Sequence, residues 1–238
     1  SSSSSSNEGN GENGAEEETI KLKLATAQPA TSNFTKLVSE PFMERVTELT
    51  DGKVQFEFYP AEQLGKAQDL LNLTINGVTD IAYFAPSYTP DQMPISANLI
   101  AMPGLVKNSH QGSMAYFHLT QKEPVLETDF LRHGVRPILG FTTPPYEIFS
   151  TKKIVKEPSD LKGMKIRSAG GVINSSLEFA QATPLQLSMP DTFEGFQTGI
   201  IDGSHMDVVT LADFGLDEII THATKGMEFS VAAVGFII

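Results

Sequence analysis

Residues 160–171 read DLKGMKIRSAGG, and Arg167 stands at the end of the apolar strand in this run, just ahead of Gly170 and Gly171. A planar guanidinium offers parallel donors that match a carboxylate. In open α/β sheets, ligands bind beyond the carboxyl ends of the strands, which is where Arg167 falls. The glycines allow close backbone approach. A helix expected from about Val172 aims free N–H groups and the positive end of its dipole at the same place. Together these features describe a clamp for a small anion, best fitted to an organic acid. They equally suit an arginine bridging to a surface Asp or Glu, and local chemistry leaves both readings open.

Other chemistries fail on spacing. No GxxxxGK[ST] phosphate loop occurs, the adjacent glycines of SAGGVINS break the GxGxxG pattern, and there is no GxSxG elbow. With no cysteine there are no thiol nucleophiles, Cys-based zinc sites, iron–sulfur clusters or disulfides. The five histidines, His110, His118, His133, His205 and His222, form no HExxH and no close acid pairing. His205 is singled out because SHMD ends a strand at the expected cleft. Ser204, His205 and Asp207 resemble a triad only in letters, since strand neighbours point to opposite faces. No catalytic residue, metal site or cofactor is expected.

The elements that would carry Arg167 alternate regularly. TIKLKLAT (19–26) has strand period, and Phe34, Leu37, Val38, Phe42, Val46 and Leu49 follow at helical steps, with Pro41 kinking the helix or opening a second one. KVQFEFYP is a second strand, QDLLNLTING a helix and DIAYFAP a third strand. Strand, helix, strand, helix, strand is the pattern of a parallel sheet covered by helices. The rhythm repeats with KGMKIRS as a strand, then GVINSSLEFAQA as a helix with Val172, Ile173, Leu177 and Phe179 inward. PLQLS, a helix opened by Pro190, and a strand through IIDGSHMDVV complete the repeat. The Pro-rich stretch FTTPPYEIFSTKKIVKEPSDLKG (141–163) lies between as a crossing. The expected architecture is α/β, two lobes with a ligand cleft between them: lobe I from 19–143 plus 206–238, lobe II from 144–205.

Composition narrows the partners. The 238 residues carry a formal charge of −12, and five acids (Glu8, Glu12, Glu16, Glu17, Glu18) sit in a leader without bases. The remaining 24 acids against 17 bases leave −7, an acidic body without the basic stripe that nucleic acid or an anionic membrane surface requires. No segment nears the roughly 18 apolar residues of a membrane span. Residues 1–18, SSSSSSNEGNGENGAEEE, are too polar to pack and read as a disordered tether, either holding an exported body off a surface or serving as a generic linker.

From about Ile20 onward the chain resembles the extracytoplasmic solute receptors of tripartite ATP-independent periplasmic (TRAP) transporters, the DctP-like family. The matching segments come in order: YPAEQLG (59–65), NGVTDIAYFAPSY (76–88), ANLIAMPGLVKN (97–108), EPSDLKGMKIRSAGG (157–171) and ATPLQLSMPDTFEGFQTGIIDG (182–203). The resemblance implies a periplasmic-binding-protein-like fold, capture without chemistry, closure of both lobes on a small organic acid, and delivery to a membrane permease. It implies an extracytoplasmic location, lipid-tethered or free, and places Arg167 on the family arginine that pairs with the substrate carboxylate. Where sialic-acid-type members have a second arginine, this chain has Glu147, and Met206 falls near the place of a common asparagine. Tyr83, Phe84, Tyr146, Glu147, Gly170, Met206 and Asp207 join Arg167 as candidate ligand contacts, with Tyr88, Phe193 and Phe196 as further candidate walls. Aromatic walls favour an acid with an apolar or ring-bearing body over a bare dicarboxylate. Family members continue into further helices, so the C-terminal part is expected to be missing; were the molecule to end here, the last strand, in SVAAVGFII, would be expected to form an exposed edge. A two-lobed sensor domain and, less favoured, an α/β enzyme are the alternatives.

Overall fold

The structure is a computed structural model that describes residues 18–227 and 229–238. The tether reading for residues 1–18 lies outside the described residues, apart from an exposed Glu18. In chain order the strands are β1 (Ile20–Thr26), β2 (Val54–Tyr59), β3 (Ile81–Phe84), β4 (Pro137–Thr142), β5 (Glu147–Ser150), β6 (Lys165–Ser168), β7 (Thr183–Gln186), β8 (Gly203–Met206), β9 (His222–Ala223) and β10 (Ala233–Ile237). The α-helices are α1 (Glu40–Leu49), α2 (Leu70–Ile75), α3 (Ser109–Thr120), α4 (Val172–Phe179), α5 (Met189–Gln197) and α6 (Val208–Asp213).

Two five-stranded sheets result, ordered β2-β1-β3-β10-β4 and β7-β6-β8-β5-β9. Pairing is parallel within β2-β1-β3 and β7-β6-β8, as the alternating strand and helix pattern requires. β10 lies antiparallel between β3 and β4. SVAAVGFII therefore forms an interior strand instead of the expected edge. Its residues Ala233 to Ile237 are buried on both faces, which explains a run without polar alternation.

The lobe boundary also shifts. β9 pairs with β5, and Leu211, Phe214, Leu216, Ile219 and Ile220 pack around Phe149, Phe196, Ile201 and Met206. Residues 206 to about 229 thus belong with the second sheet, and only the following stretch returns to the first. The chain crosses between sheets twice, and the crossings hold each other: Thr143 N donates to Ala232 O (3.0 Å) and Tyr146 N to Ser230 O (2.7 Å).

Three local readings are corrected. Phe179 is 94% exposed, because it lies about 200° round α4 from the buried Leu177. Leu37 and Leu49 are also exposed: a π-helical turn over Thr35–Ser39 runs into α1 and leaves Phe34, Val38 and Phe42 on the core side. Val208 and Val209 open a helix instead of extending a strand, since the Asp207 carboxylate caps it by accepting from Thr210 N (3.0 Å).

Candidate functional site

β6 lies between β7 and β8, so Arg167, near its carboxyl end, has a neighbouring strand on each side. The side chain is 1% exposed. Nε donates to Leu187 O (2.9 Å), Nη1 to His205 O (3.4 Å) and Nη2 to the Tyr88 hydroxyl (2.7 Å). Of five N–H donors, one on each Nη stays uncommitted. Among the described residues no carboxylate comes within ion-pair distance of Arg167, so the reading of it as half of a surface ion pair fails. A buried, unpaired cation costs several kcal/mol unless something anionic joins it. With Nε held by Leu187, the free donors of the guanidinium are those of its Nη1 and Nη2 end.

These donors face a cavity of about 80 Å³ between the lobes. Tyr83 and Phe84 from the end of β3, Tyr88 from the turn after it, and Leu70 of α2 form the first-lobe wall. Tyr146, Met189, Met206, Asp207 and Phe214 form the second-lobe wall with Arg167. Of the candidate contacts, Arg167, Tyr83, Phe84, Tyr146, Met206 and Asp207 are thus brought together, along with Tyr88. Phe193 and Phe196 instead pack in the second-lobe core.

Two candidates lie elsewhere, and one expected donor is taken. The Glu147 carboxylate turns to the 224–227 loop, accepting from Thr224 Oγ1, Gly226 N (2.7 Å) and Met227 N (3.1 Å). Three donors satisfy it there, so it has no need of the cleft. Gly170 does not line the cavity: a Cβ on it would stand 2.8 Å from Ser87 O of the first lobe. Gly171 approaches Asn98 in the same way. These glycines let one lobe's backbone approach the other's, in place of a ligand. The first amide of α4 is occupied likewise, Val172 N donating to Asn98 Oδ1 (2.9 Å). With Lys66–Asp191 (3.0 Å), Asn33–Asp213 (2.9 Å) and Gln186 Nε2 to Tyr88 O (3.3 Å), these contacts hold the lobes in a closed arrangement.

Burial sets the electrostatics. The Tyr146 phenol is pushed well up by burial and by Asp207, and pulled back in part by Arg167. The Asp207 carboxyl is raised by burial, against the lowering effect of Thr210. His205 is fully buried, its ring edge-on to Tyr146 (4.8 Å) and Phe229 (5.3 Å), with burial and Arg167 lowering its pKa to about 3. It stays neutral, behind the cavity wall instead of in the cleft, and Asp207 Oδ1 and Oδ2 bond Thr210 instead. That geometry supports binding and offers no nucleophile–base pair. Sequence reasoning missed Met189, Leu70 and Phe214, whose apolar character carries no signal beyond that of core residues. For Phe214, the cap at Asp207 was the available clue to the short helix that presents it.

Residues 24–234 match the family model for bacterial extracellular solute-binding proteins, family 7 (DctP). The chain belongs to this family. A solute-binding protein of Roseobacter denitrificans is 30% identical over 86% of this chain and 61% of its own length. Among solved structures, a marine metagenome TRAP solute-binding protein specific for aromatic acids, in complex with 3-hydroxybenzoate, superposes with TM-score 0.86 at 26% identity, covering 93% of this chain and 69% of that one. A TRAP periplasmic solute-binding protein of Bordetella bronchiseptica with bound mandelate gives TM-score 0.83 at 25% identity, covering 92% and 69%. This DctP chain spans about three fifths of the length of curated relatives such as those of Roseobacter denitrificans and Albidiferax ferrireducens. Its two-lobed α/β architecture is the TRAP receptor fold, and these relatives are solute-binding receptors, not enzymes. Among the described residues no helix is long and apolar enough to cross a membrane.

Proposed function

We propose that this chain captures a small monocarboxylate with an apolar or ring-bearing body between its lobes, outside the cytoplasmic membrane, and delivers it to a TRAP-type permease. The observation that carries this is Arg167, buried, hydrogen-bonded by three of its donors, and lacking an anionic partner among the described residues. Among the described residues lining the cavity, Arg167 is the one cationic side chain. A second carboxylate on the ligand would therefore find only neutral side chains and Asp207, with no second cation, at a large desolvation cost. The acids bound by the 3-hydroxybenzoate and mandelate receptors support the same class.

The volume adds a condition. A cavity that accepts benzene is about 150 Å³, and the closed cleft measures about 80 Å³. A ring therefore enters only as Tyr88, Met189 and Met206 shift, which unbranched methionines do at low cost. Native mass spectrometry of the full-length protein as purified, followed by denaturation and identification of the released molecule, tests the proposal, with Arg167→Ala as control. An organic monoacid released from the wild type and absent from the variant is the expected result. An empty protein that also shows no thermal shift with a broad carboxylate panel, or one that binds only small dicarboxylates, would overturn it.

A further inference from the structure

The cavity holds a second charge that a bare monocarboxylate leaves unanswered. Asp207 lines the same wall as Arg167 and is 3% exposed. Its Oδ1 accepts from Thr210 N (3.0 Å) and its Oδ2 from Thr210 Oγ1 (2.7 Å). Among the described residues no Lys, Arg or His stands within ion-pair distance of it. The titratable groups around it are the Tyr83 and Tyr146 phenols, whose ionisation its charge opposes, with Arg167 acting on Tyr146 in the other direction. Capping α6 does not call for this charge, since Ser, Thr or Asn caps a helix comparably well. A carboxylate kept where a neutral cap would serve, buried and turned to a cavity, has acceptor capacity to offer a guest.

We infer that Asp207 is a second recognition point of the cavity, selecting acids whose body also carries a hydrogen-bond donor, with a hydroxyl as the fitting group. The inference rests on the carboxylate reading of Arg167 and deepens it. Arg167 takes the carboxylate end-on, and Asp207 accepts from the hydroxyl on the ligand's body. The unsubstituted parent acid fills the same space but gives the Asp207 carboxylate no donor beyond those of Thr210. Hydrogen bonds to a charged group contribute about 1.5–3 kcal/mol, so the hydroxylated member should bind roughly ten- to hundredfold tighter. The sequence pointed to Glu147 as the acid beside Arg167, but its carboxylate is committed to the 224–227 loop.

The test is calorimetric titration of the full-length protein with three matched pairs: benzoate and 3-hydroxybenzoate, phenylacetate and mandelate, propionate and lactate. The wild type is expected to prefer the hydroxylated member at least tenfold in one pair or more. Asp207→Asn keeps the cap and the volume but turns an amide towards the cavity, and should bring the ratio of hydroxylated to parent acid within about threefold. Asp207→Ser, a neutral cap of another shape, should do the same and stands in should the Asn variant fold poorly. A wild type that does not discriminate in any pair overturns the inference and leaves the monocarboxylate reading intact. So does a preference that survives both substitutions. Failure of all six acids to bind the wild type removes the reading of Arg167 itself, and this inference with it.

Discussion

The Nη2 group of Arg167, on the second lobe, donates a 2.7 Å hydrogen bond to the Tyr88 hydroxyl of the first. The side chain that would hold the ligand therefore also joins the lobes. A ligand oxygen arriving at Nη2 can share this donor group, because it carries a second N–H, or displace the tyrosine. On the proposed reading, closure and capture would be coupled through one nitrogen.

Removing Arg167 should abolish carboxylate binding. Two charge-assisted bonds at about 1.5–3 kcal/mol each predict a loss of at least a hundredfold for Arg167→Ala by calorimetry. Arg167→Lys keeps a charge but not the fork or the Leu187 contact, and should still lose tenfold or more. Equal affinity in the lysine variant would show that charge alone suffices.

Tyr88→Phe deletes the bridging hydroxyl and little else. The ligand-free protein should then shift towards an open form, seen as a larger radius of gyration by small-angle scattering. Affinity should change by up to about tenfold, the worth of one hydrogen bond. An unchanged scattering profile would mean that the other interlobe contacts hold closure unaided.

Gly170→Ala should impair closure more than folding of either sheet. The new Cβ would stand 2.8 Å from Ser87 O, at a backbone φ of +111° that L-residues rarely adopt. Binding should weaken at least tenfold, with scattering showing lobes that stay apart in saturating ligand. Normal closure would locate the glycine requirement in the local turn alone.

Acid should destabilise the protein through His205. Its folded pKa of about 3 lies below the ordinary 6.5, so the unfolded chain binds more protons between these values. Stability is therefore full above pH 6.5 and falls as pH drops through the window, by roughly 3 kcal/mol at pH 4. Asp207 acts with the opposite sign: its raised pKa lets the folded state take up a proton first, so stability rises slightly on acidification above its ordinary 3.8. Thermal melts of His205→Gln should show a flatter acid limb, and those of Asp207→Asn a steeper one.

The elements were legible in the sequence because period and turn chemistry are local. β1, β2, β3, β6 and β7 and helices α2, α4 and α5 fall where alternation, Pro190 and the glycines put them. Arg167 was legible for the same reason, since a strand end followed by two glycines is a contiguous signal. What pairs with what was not. Glu147 and Asp207 are both acids near the ends of neighbouring strands, and it is the distant 224–227 loop that turns Glu147 away while Asp207, bonded to nearby Thr210, lines the cavity. The glycines at 170 and 171 read as room for a ligand, yet the groups that need the room, Ser87 and Asn98, lie in the other lobe. SVAAVGFII looked like an edge because its two partners, β3 and β4, lie far back in the chain.

That last strand has a consequence for how the molecule is made. β10 sits between β3 and β4, so the first sheet stays split until residues 233–237 arrive, after everything from 143 to 232 has been synthesised. The second lobe is an insertion, and until those residues pair the first sheet has two open strand edges, the condition that invites mispairing. An order of assembly is then expected, in which the inserted half folds before the outer half is zipped shut. Pulse-labelled hydrogen exchange should find protection in β6 and β8 before β3 and β4, and the reverse sequence would rule this order out.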